Sequence, residues 1–95
     1  MFKASTRGFS IEFDNGYKVS VMFGEMNYCE NRYISQEDLD HAGQNSSDDA
    51  EVQITDTKGD WHIPDGVAFD GAIGWQTPTQ VAEWLAYASN LQKQS

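Results

Sequence analysis

The sequence predicts an α+β fold: a four-stranded antiparallel sheet made of two hairpins, with one C-terminal helix packed on one face. The first hairpin is indicated between Gly8 and Phe23, where apolar and polar residues alternate on both sides of Asp14-Asn15-Gly16. A second alternating segment covers residues 51–63, and an amphipathic segment follows Thr77. Each of these elements has one apolar side, so packing the helix on the sheet buries all three.

The length of the first turn decides which side chains share a face of the sheet. A three-residue loop at 14–16 places six apolar side chains on one face, in the pairs Phe13–Tyr17, Ile11–Val19 and Phe9–Val21. It leaves the pairs Glu12–Lys18 and Ser10–Ser20 on the other face. A two-residue loop would mix both faces. Gly16 suits the left-handed conformation that ends a three-residue turn, so the longer loop is predicted.

The second hairpin is predicted from the alternation of residues 51–55 and 60–63. The four residues between them, 56–59, fit a type I turn because Asp56 comes first and Gly59 fourth. In that register the inner face carries the pairs Ile54–Trp61 and Val52–Ile63, and the outer face carries Gln53–His62.

The last segment has the signals of a helix that begins at Thr77. Thr77 fits the N-cap, Pro78 fits the first helical position, and Gln80 completes a Thr-x-x-Gln capping box. An apolar stripe follows at helical spacing: Val81, Trp84, Leu85, Ala88 and Leu91. We expect the helix to end near Gln92.

The size and composition of the chain indicate a single domain, residues 1–95, since neither half would bury an adequate core alone. Homodimerisation would add stability to a chain of this size. Within the domain, residues 36–50 have almost nothing to bury, which predicts a mobile acidic connection. Ser35 is placed to cap one helical turn at its start.

The charge balance bears on the kind of partner. Fifteen acidic against six basic residues give a net charge of −9, which disfavours direct binding to nucleic-acid phosphate. Such a surface either keeps the protein soluble or attracts a basic partner. The start of the chain lacks the apolar stretch of a signal peptide, and no window is apolar enough to span a bilayer. These patterns predict a cytoplasmic protein without a membrane role.

No set of residues meets the sequence requirements of an active site. Glycine-rich phosphate loops and the Gly-x-Ser-x-Gly elbow are missing from the sequence, and His41 and His62 lack a recognised metal-ligand spacing. Cys29 is the only cysteine, and the charge of Glu30 beside it disfavours a thiolate. We therefore expect neither enzymatic activity nor a metal or other cofactor.

Residues 24–34 are predicted to form an ordered loop, and this loop is the strongest candidate for a binding surface because tyrosine and arginine are enriched at protein interfaces. The predicted partner-binding residues are Glu25, Tyr28, Glu30, Arg32, Tyr33, Asp38, Asp40, Asp48 and Asp49. In this hypothesis the carboxylates engage a basic groove and the two tyrosines anchor the contact. The alternative is that Tyr28 and Tyr33 pack against the edge of the core.

Several short stretches carry a resemblance at the level of organisation. They are Gly8-Phe9, residues 13–24, Asn27-Tyr28-Cys29, Ala50-Glu51-Val52, Gly74-Trp75 and Thr77-Pro78. In this order they resemble small uncharacterised accessory proteins of tailed bacteriophages and prophages. The resemblance leaves out the acidic connection. It implies a non-virion protein that acts inside an infected bacterium, and it supplies no catalytic residues.

Together these observations predict a small, non-enzymatic, acidic binding protein. The resemblance extends this to a phage-encoded inhibitor of a host defence or nucleic-acid-handling protein with a basic surface, in the host cytoplasm. Two alternatives stay open. One is a nucleotide- or metabolite-binding sponge or regulator, with Tyr28, Arg32, Trp75 and His62 lining a pocket at a dimer interface. The other is a minor structural protein of the virion.

Overall fold

A computed structural model describes residues 1–25, 27–43, 46–62 and 72–92. These residues form an α+β arrangement with an antiparallel sheet and a C-terminal helix, which confirms the predicted class. The strands are β1 (Phe2–Ser5), β2 (Gly8–Glu12), β3 (Lys18–Met22), β4 (Ala50–Thr55) and β5 (Ile73–Gln76); the helices are α1 (Gln36–His41) and α2 (Pro78–Ser89). The strands lie in the order β1-β2-β3-β4-β5. The prediction of four strands and one helix is therefore wrong in number.

The first hairpin has the predicted register. Ile11 lies opposite Val19, and Glu12 lies opposite Lys18. The backbone N–H of Phe13 donates to the carbonyl of Tyr17 at 2.8 Å, which closes a three-residue loop. Gly16 ends that loop with a φ of 91°. The turn thus sets one apolar and one polar face, as the sequence predicts.

The strand β1 was not predicted from the sequence. It pairs antiparallel with β2, so that Phe2 lies opposite Ile11 and Ala4 opposite Phe9. All four of its residues are exposed. A strand that buries no side chain need not show the alternation of apolar and polar residues from which strands are predicted. Its conformation is set by hydrogen bonds to the edge of β2.

The second hairpin forms one residue away from the predicted register. A bridge joins Thr55 to Trp61, and the N–H of His62 donates to the carbonyl of Ile54 at 2.8 Å. The loop has three residues, 57–59, because the N–H of Asp56 bonds to the carbonyl of Asp60 at 2.9 Å. Gly59 ends this loop with a φ of 81°, as Gly16 ends the first.

A shift of one residue turns every side chain to the opposite face. Trp61, predicted on the inner face, is 62% exposed. His62, predicted on the outer face, instead makes an edge contact with the buried ring of Tyr17. The predicted pairing of Val52 with Ile63 involves a residue outside the described ranges. Val52 lies opposite Ile73 of β5, a strand that was not predicted.

The helix α2 packs on one face of β3, β4 and β5. The predicted capping box is present, because Gln80 N donates to Thr77 Oγ1 at 3.3 Å and Thr77 N donates to Gln80 Oε1 at 2.9 Å. From the predicted stripe, Val81 and Ala88 are buried in the core, and Trp84, Leu85 and Leu91 pack partly buried against it. The helix ends at Ser89, earlier than predicted. Neither helix within the described ranges has the length and apolar character needed to cross a bilayer.

The first loop also holds the end of α2 in place. The side-chain amide of Asn15 donates to the carbonyl of Ala88 at 2.7 Å and to that of Leu91 at 3.0 Å. Carbonyls at a helix C-terminus lack the amide donor of a following turn, and Asn15 adds a donor to them; the Ala88 carbonyl also accepts from the N–H of Leu91 at 3.3 Å. The turn that sets the hairpin register therefore also positions the helix over the sheet.

Candidate functional site

Residues 24–34, here called the outer-face loop, cross the side of the sheet opposite α2. Side chains alternate along β4, so that Val52 and Ile54 face the core and Glu51 faces the other way. The carboxylate of Glu51 accepts a hydrogen bond from the N–H of Tyr28 at 2.9 Å and one from the Asn27 amide at 3.5 Å. Glu51 is itself buried. The outer-face loop is thus fastened to the sheet through one buried carboxylate.

The side chains of Tyr28, Arg32 and Tyr33 on this loop and of Trp75 on β5 form a continuous row of contacts, here called the aromatic ladder. The rings of Trp75 and Tyr28 lie 5.6 Å apart between centroids. The Cζ atom of Arg32 lies 4.2 Å from the ring centroid of Tyr28 and 5.6 Å from that of Tyr33. Arginine over a tyrosine ring is a favourable cation–π arrangement. The structure therefore brings three of the predicted site residues together and adds Trp75.

Trp75 holds an unusual backbone conformation. Its φ is 51°, a region that bulky residues adopt only under constraint. The constraint is visible, because the N–H of Trp75 donates to the carbonyl of Tyr28 at 2.7 Å. Close approach is possible because residue 74 is glycine; a methyl group there would lie 2.7 Å from Tyr28 Cβ. Such strain costs about 1–3 kcal/mol, and it places a half-exposed indole at the end of the ladder.

Three of the predicted partner-binding carboxylates are used inside the domain. Glu25 accepts from the N–H of Gln36 at 2.8 Å, at the start of α1. Asp40 forms an ion pair with Arg7 at 2.9 Å. Asp49 accepts from the N–H of Glu30 at 2.7 Å. These side chains hold the connection between β3 and β4 in its shape, so they are engaged before any partner arrives.

The other three predicted carboxylates, those of Glu30, Asp38 and Asp48, are exposed and make no hydrogen bond or ion pair within the described residues. Glu30 lies two residues from both Tyr28 and Arg32. Its backbone N–H donates to the Asp49 carboxylate, which brings the residues that precede β4 beside it. A negative edge therefore lies beside the aromatic ladder. Asp38 lies apart from it, in the first turn of α1.

The acidic connection buries more than the sequence suggests. Ser35 caps α1 as predicted, accepting from the N–H of Asp38 at 3.1 Å. Leu39 on that helix is only 1% exposed, so the expectation that the segment has almost nothing to bury is wrong there. The ion pair of Asp40 also joins α1 to Arg7, which is buried in the turn between β1 and β2. The mobility of residues 36–50 stays a prediction.

The thiol of Cys29, a residue of the outer-face loop, is buried. Burial raises the pKa of this thiol above its usual 9.0, and the charges of Asp49 and Glu51 raise it further. The thiol is therefore protonated at neutral pH, and the thiolate is the reactive form. This environment is that of a packing residue and not of a nucleophile.

The histidines do not join the aromatic ladder. His62 stacks near Tyr87 of α2 and touches Tyr17, on the opposite side of the sheet. His41 ends α1 and lies 3.6 Å from Glu37 of the same helix. In the part of the chain that the structure describes, no three His, Cys, Asp or Glu side chains are grouped to hold a metal ion. Within one copy of the chain, His62 therefore does not lie with Tyr28, Arg32 and Trp75, and the predicted pocket at a dimer interface stays a prediction.

Glu51 and Trp75 were missing from the predicted partner-binding set. Glu51 resembles any outward polar residue of a strand, since its partner Tyr28 lies 23 positions away. Trp75 entered the sequence analysis only as part of the alternative ligand pocket, together with Tyr28 and Arg32. The contact that places it in the ladder is tertiary.

We expect replacement of Glu51 by alanine to lower the free energy of unfolding by about 1–3 kcal/mol, since it removes a buried carboxylate and the acceptor of the Tyr28 N–H. Glu51→Gln keeps an oxygen at the same position and should lose less than half as much. Urea unfolding measures the loss, and amide hydrogen exchange of Tyr28 locates it. Equal losses in both variants, with unchanged exchange at Tyr28, would contradict the assigned anchoring contact.

The geometry of the aromatic ladder fits recognition of another protein's surface. Aromatic and arginine side chains lie side by side at one face with a negative edge beside them, and these residue types dominate protein–protein contacts. Comparison with known proteins adds nothing to this: no protein-family model, no curated protein and no solved structure matches the chain. Function is therefore inferred from the chain itself.

Proposed function

We propose that this protein is a small, non-enzymatic binding protein whose aromatic ladder docks on the basic surface of another protein. The observation that carries the proposal is the exposure of the ladder: the Tyr33 side chain is 90% exposed and Trp75 is 53% exposed, although both are large and partly apolar. Large exposed aromatic side chains next to an arginine are characteristic of interface anchors. The alternative that both tyrosines pack at the edge of the core does not account for the exposure of Tyr33.

The ladder is organised before binding, which favours affinity. Arg32 lies against the rings of Tyr28 and Tyr33, so part of its rotamer freedom is already restricted. Ordering a long side chain during association costs about 0.5–1.5 kcal/mol, and a pre-ordered anchor avoids part of this cost. The backbone strain at Trp75 supports the same conclusion, because strained residues cluster where a side chain must be held for function.

The charge of the chain supports a basic partner. The net charge is −9, and Glu30 and Asp48 remain available beside the ladder. Complementary charge raises the rate of encounter and disfavours acidic partners. A protein that handles nucleic acid has a basic groove for phosphate, so an acidic ligand can compete for that groove.

The resemblance to accessory proteins of tailed bacteriophages suggests the biological setting. In that setting the partner is a host defence or nucleic-acid-handling protein, and this protein inhibits it in the cytoplasm of the infected cell. A small ligand is less well supported as the target. The ring of Tyr28 already contacts Arg32 and Trp75, so a nucleobase would have to displace one of them before it could stack on Tyr28.

The proposal is tested by capture of partners on the tagged chain from bacterial lysate at about 0.1 M and about 0.5 M salt, with identification by mass spectrometry. We expect an enriched basic protein at low salt and much less at high salt, because screening shortens the reach of exposed charges to a few ångströms. Small molecules released from the purified chain are measured in parallel. A bound nucleotide or metabolite with no captured protein would favour the ligand alternative.

Matched variants locate the contact. Tyr33→Ala removes an exposed ring and should abolish capture, whereas Trp61→Ala removes an exposed ring beside the opposite end of β4 and should leave it unchanged. Trp75→Gly should weaken capture while keeping or raising stability, because glycine relieves the positive φ. Equal capture by the wild type and Tyr33→Ala would overturn the proposal.

A further inference from the structure

The first loop contains a dipeptide with a chemistry of its own. Asn15-Gly16 is the one Asn-Gly pair in the sequence. In an unconstrained chain the backbone nitrogen of a glycine readily attacks the side-chain amide carbon of a preceding asparagine, because glycine has no side chain to hinder the approach. An asparagine in this context is therefore a candidate for deamidation, the conversion of its side-chain amide to a carboxylate.

The fold restrains both groups that would react. The side-chain nitrogen of Asn15 donates to two carbonyls at the end of α2, at 2.7 and 3.0 Å, and its side-chain oxygen accepts from the N–H of Tyr17 at 3.0 Å. The N–H of Gly16 donates to the carbonyl of Phe13, also at 3.0 Å. Attack requires rotation of the Asn15 side chain and loss of the Gly16 amide proton. These hydrogen bonds therefore have to break before the reaction starts.

The same contacts make the product of the reaction incompatible with the fold. The amide nitrogen of Asn15 is a donor, whereas a carboxylate oxygen in its place only accepts. That oxygen would face two carbonyl oxygens at the negative end of a helix. The groove around Asn15 is lined by Glu12, Asp14 and Met1, and the N-terminal ammonium already donates to the Glu12 carbonyl. The new charge therefore meets further carboxylates and a cation that is already engaged.

We propose that Asn15 is a deamidation site that the folded chain protects and whose product releases the end of α2. In the opened loop the Gly16 nitrogen loses its proton to hydroxide and bonds to Cγ of Asn15. The amide nitrogen leaves as ammonia after taking a proton from water, and a succinimide ring remains. Water opens this ring at either carbonyl and gives aspartate or isoaspartate. The net change is the addition of one water and the loss of one ammonia.

Deamidation then depends on the stability of the fold itself. The reaction proceeds from the opened form, so its rate follows the population in which the first loop is open. Aspartate weakens the hold on α2, and isoaspartate adds a backbone atom to the loop that sets the register of β2 and β3. Each deamidated chain opens more readily than the chain from which it came, and refolding does not reverse the change.

The first experiment compares the rate of deamidation in the folded wild-type chain with the rate in the same chain unfolded in guanidinium chloride, at the same mildly alkaline pH. Peptides from digestion at acidic pH are analysed by mass spectrometry at each asparagine. We expect Asn15 to react at least about tenfold faster in the unfolded chain. Asn27 and Asn31, which are not followed by glycine, are internal controls and should react more slowly than Asn15 in the unfolded chain.

Two substitutions separate the new charge from the lost donor. Asn15→Asp keeps an oxygen acceptor for the N–H of Tyr17 and replaces the donor by a carboxylate, whereas Asn15→Ala removes both. The amide of Ala88, a residue of α2 with no exposed surface, should exchange at least about tenfold faster in Asn15→Asp than in the wild type. It should accelerate less in Asn15→Ala. The amide of Tyr17 should lose protection in Asn15→Ala and keep more of it in Asn15→Asp.

Three results would overturn the proposal. Equal rates at Asn15 in the folded and unfolded chains would show that the fold does not protect it. A rate at Asn15 no higher than that at Asn27 in the unfolded chain would remove it as a deamidation site. Exchange at Ala88 that is no faster in Asn15→Asp than in Asn15→Ala would show that the carboxylate does not release α2.

Discussion

Replacement of Ile54 by alanine is expected to lower the free energy of unfolding by about 2–5 kcal/mol. Ile54 has no exposed surface, belongs to the core cluster, and lies opposite Val19 of β3 on a strand against which α2 packs. Removing its side chain leaves a cavity that the surrounding strands cannot close, since they are joined by hydrogen bonds on both sides. The loss is large against the total stability of about 5–15 kcal/mol that is typical of small domains.

Urea unfolding with a constant m value measures this loss. Ile54→Val serves as the control, because it removes one methylene and should cost only about 0.5–1.5 kcal/mol. A loss below about 1 kcal/mol for Ile54→Ala would mean that β4 does not run through the centre of the core.

Gly8→Ala is expected to lower the free energy of unfolding by about 3 kcal/mol or more. Gly8 starts β2 with a φ of 152°, and a methyl group there would lie 2.2 Å from the carbonyl oxygen of Val21. That oxygen belongs to the backbone of β3, so it cannot move without disturbing the pairing of the two strands. Overlap and backbone strain each cost about 1–3 kcal/mol, and here both apply.

Gly59→Ala separates the two contributions. Gly59 also has a positive φ, of 81°, but nothing lies within 4 Å of the added methyl group. It should therefore lose only the conformational part, about 1 kcal/mol. Thermal or urea unfolding of both variants makes the comparison. Similar losses for the two would show that the close approach of β2 and β3 does not occur at Gly8.

The two hairpins show how well the register of a hairpin can be predicted from the residues of its turn. In both loops a glycine with positive φ donates to a carbonyl three residues earlier: Gly16 to Phe13 and Gly59 to Asp56, each at 3.0 Å. The first was correctly predicted as a three-residue loop. The second was predicted as a four-residue turn from its Asp and Gly, and that error exchanged the faces of Trp61 and His62. A glycine that ends a turn with positive φ favours a loop of three residues.

The candidate site could be predicted only in part. Tyr28, Arg32 and Tyr33 are close in sequence, so their meeting on one loop was foreseeable from interface preferences. The internal use of Glu25, Asp40 and Asp49 was not, because a carboxylate that accepts from a distant N–H looks like a solvated one in sequence. The net charge predicts the sign of the surface charge, but it does not show which carboxylates remain available to a partner.

The sequence by itself determined the α+β class, the register of the first hairpin, and the N-terminal caps of α1 and α2. These features depend on residues only a few positions apart, whose turn geometry and capping hydrogen bonds form locally. Only the tertiary structure decided that β1 and β5 are strands, that Glu51 anchors the outer-face loop, and that Trp75 joins the ladder. Each of these depends on a contact between distant segments or between strand edges, which becomes favourable once the sheet and helix have formed.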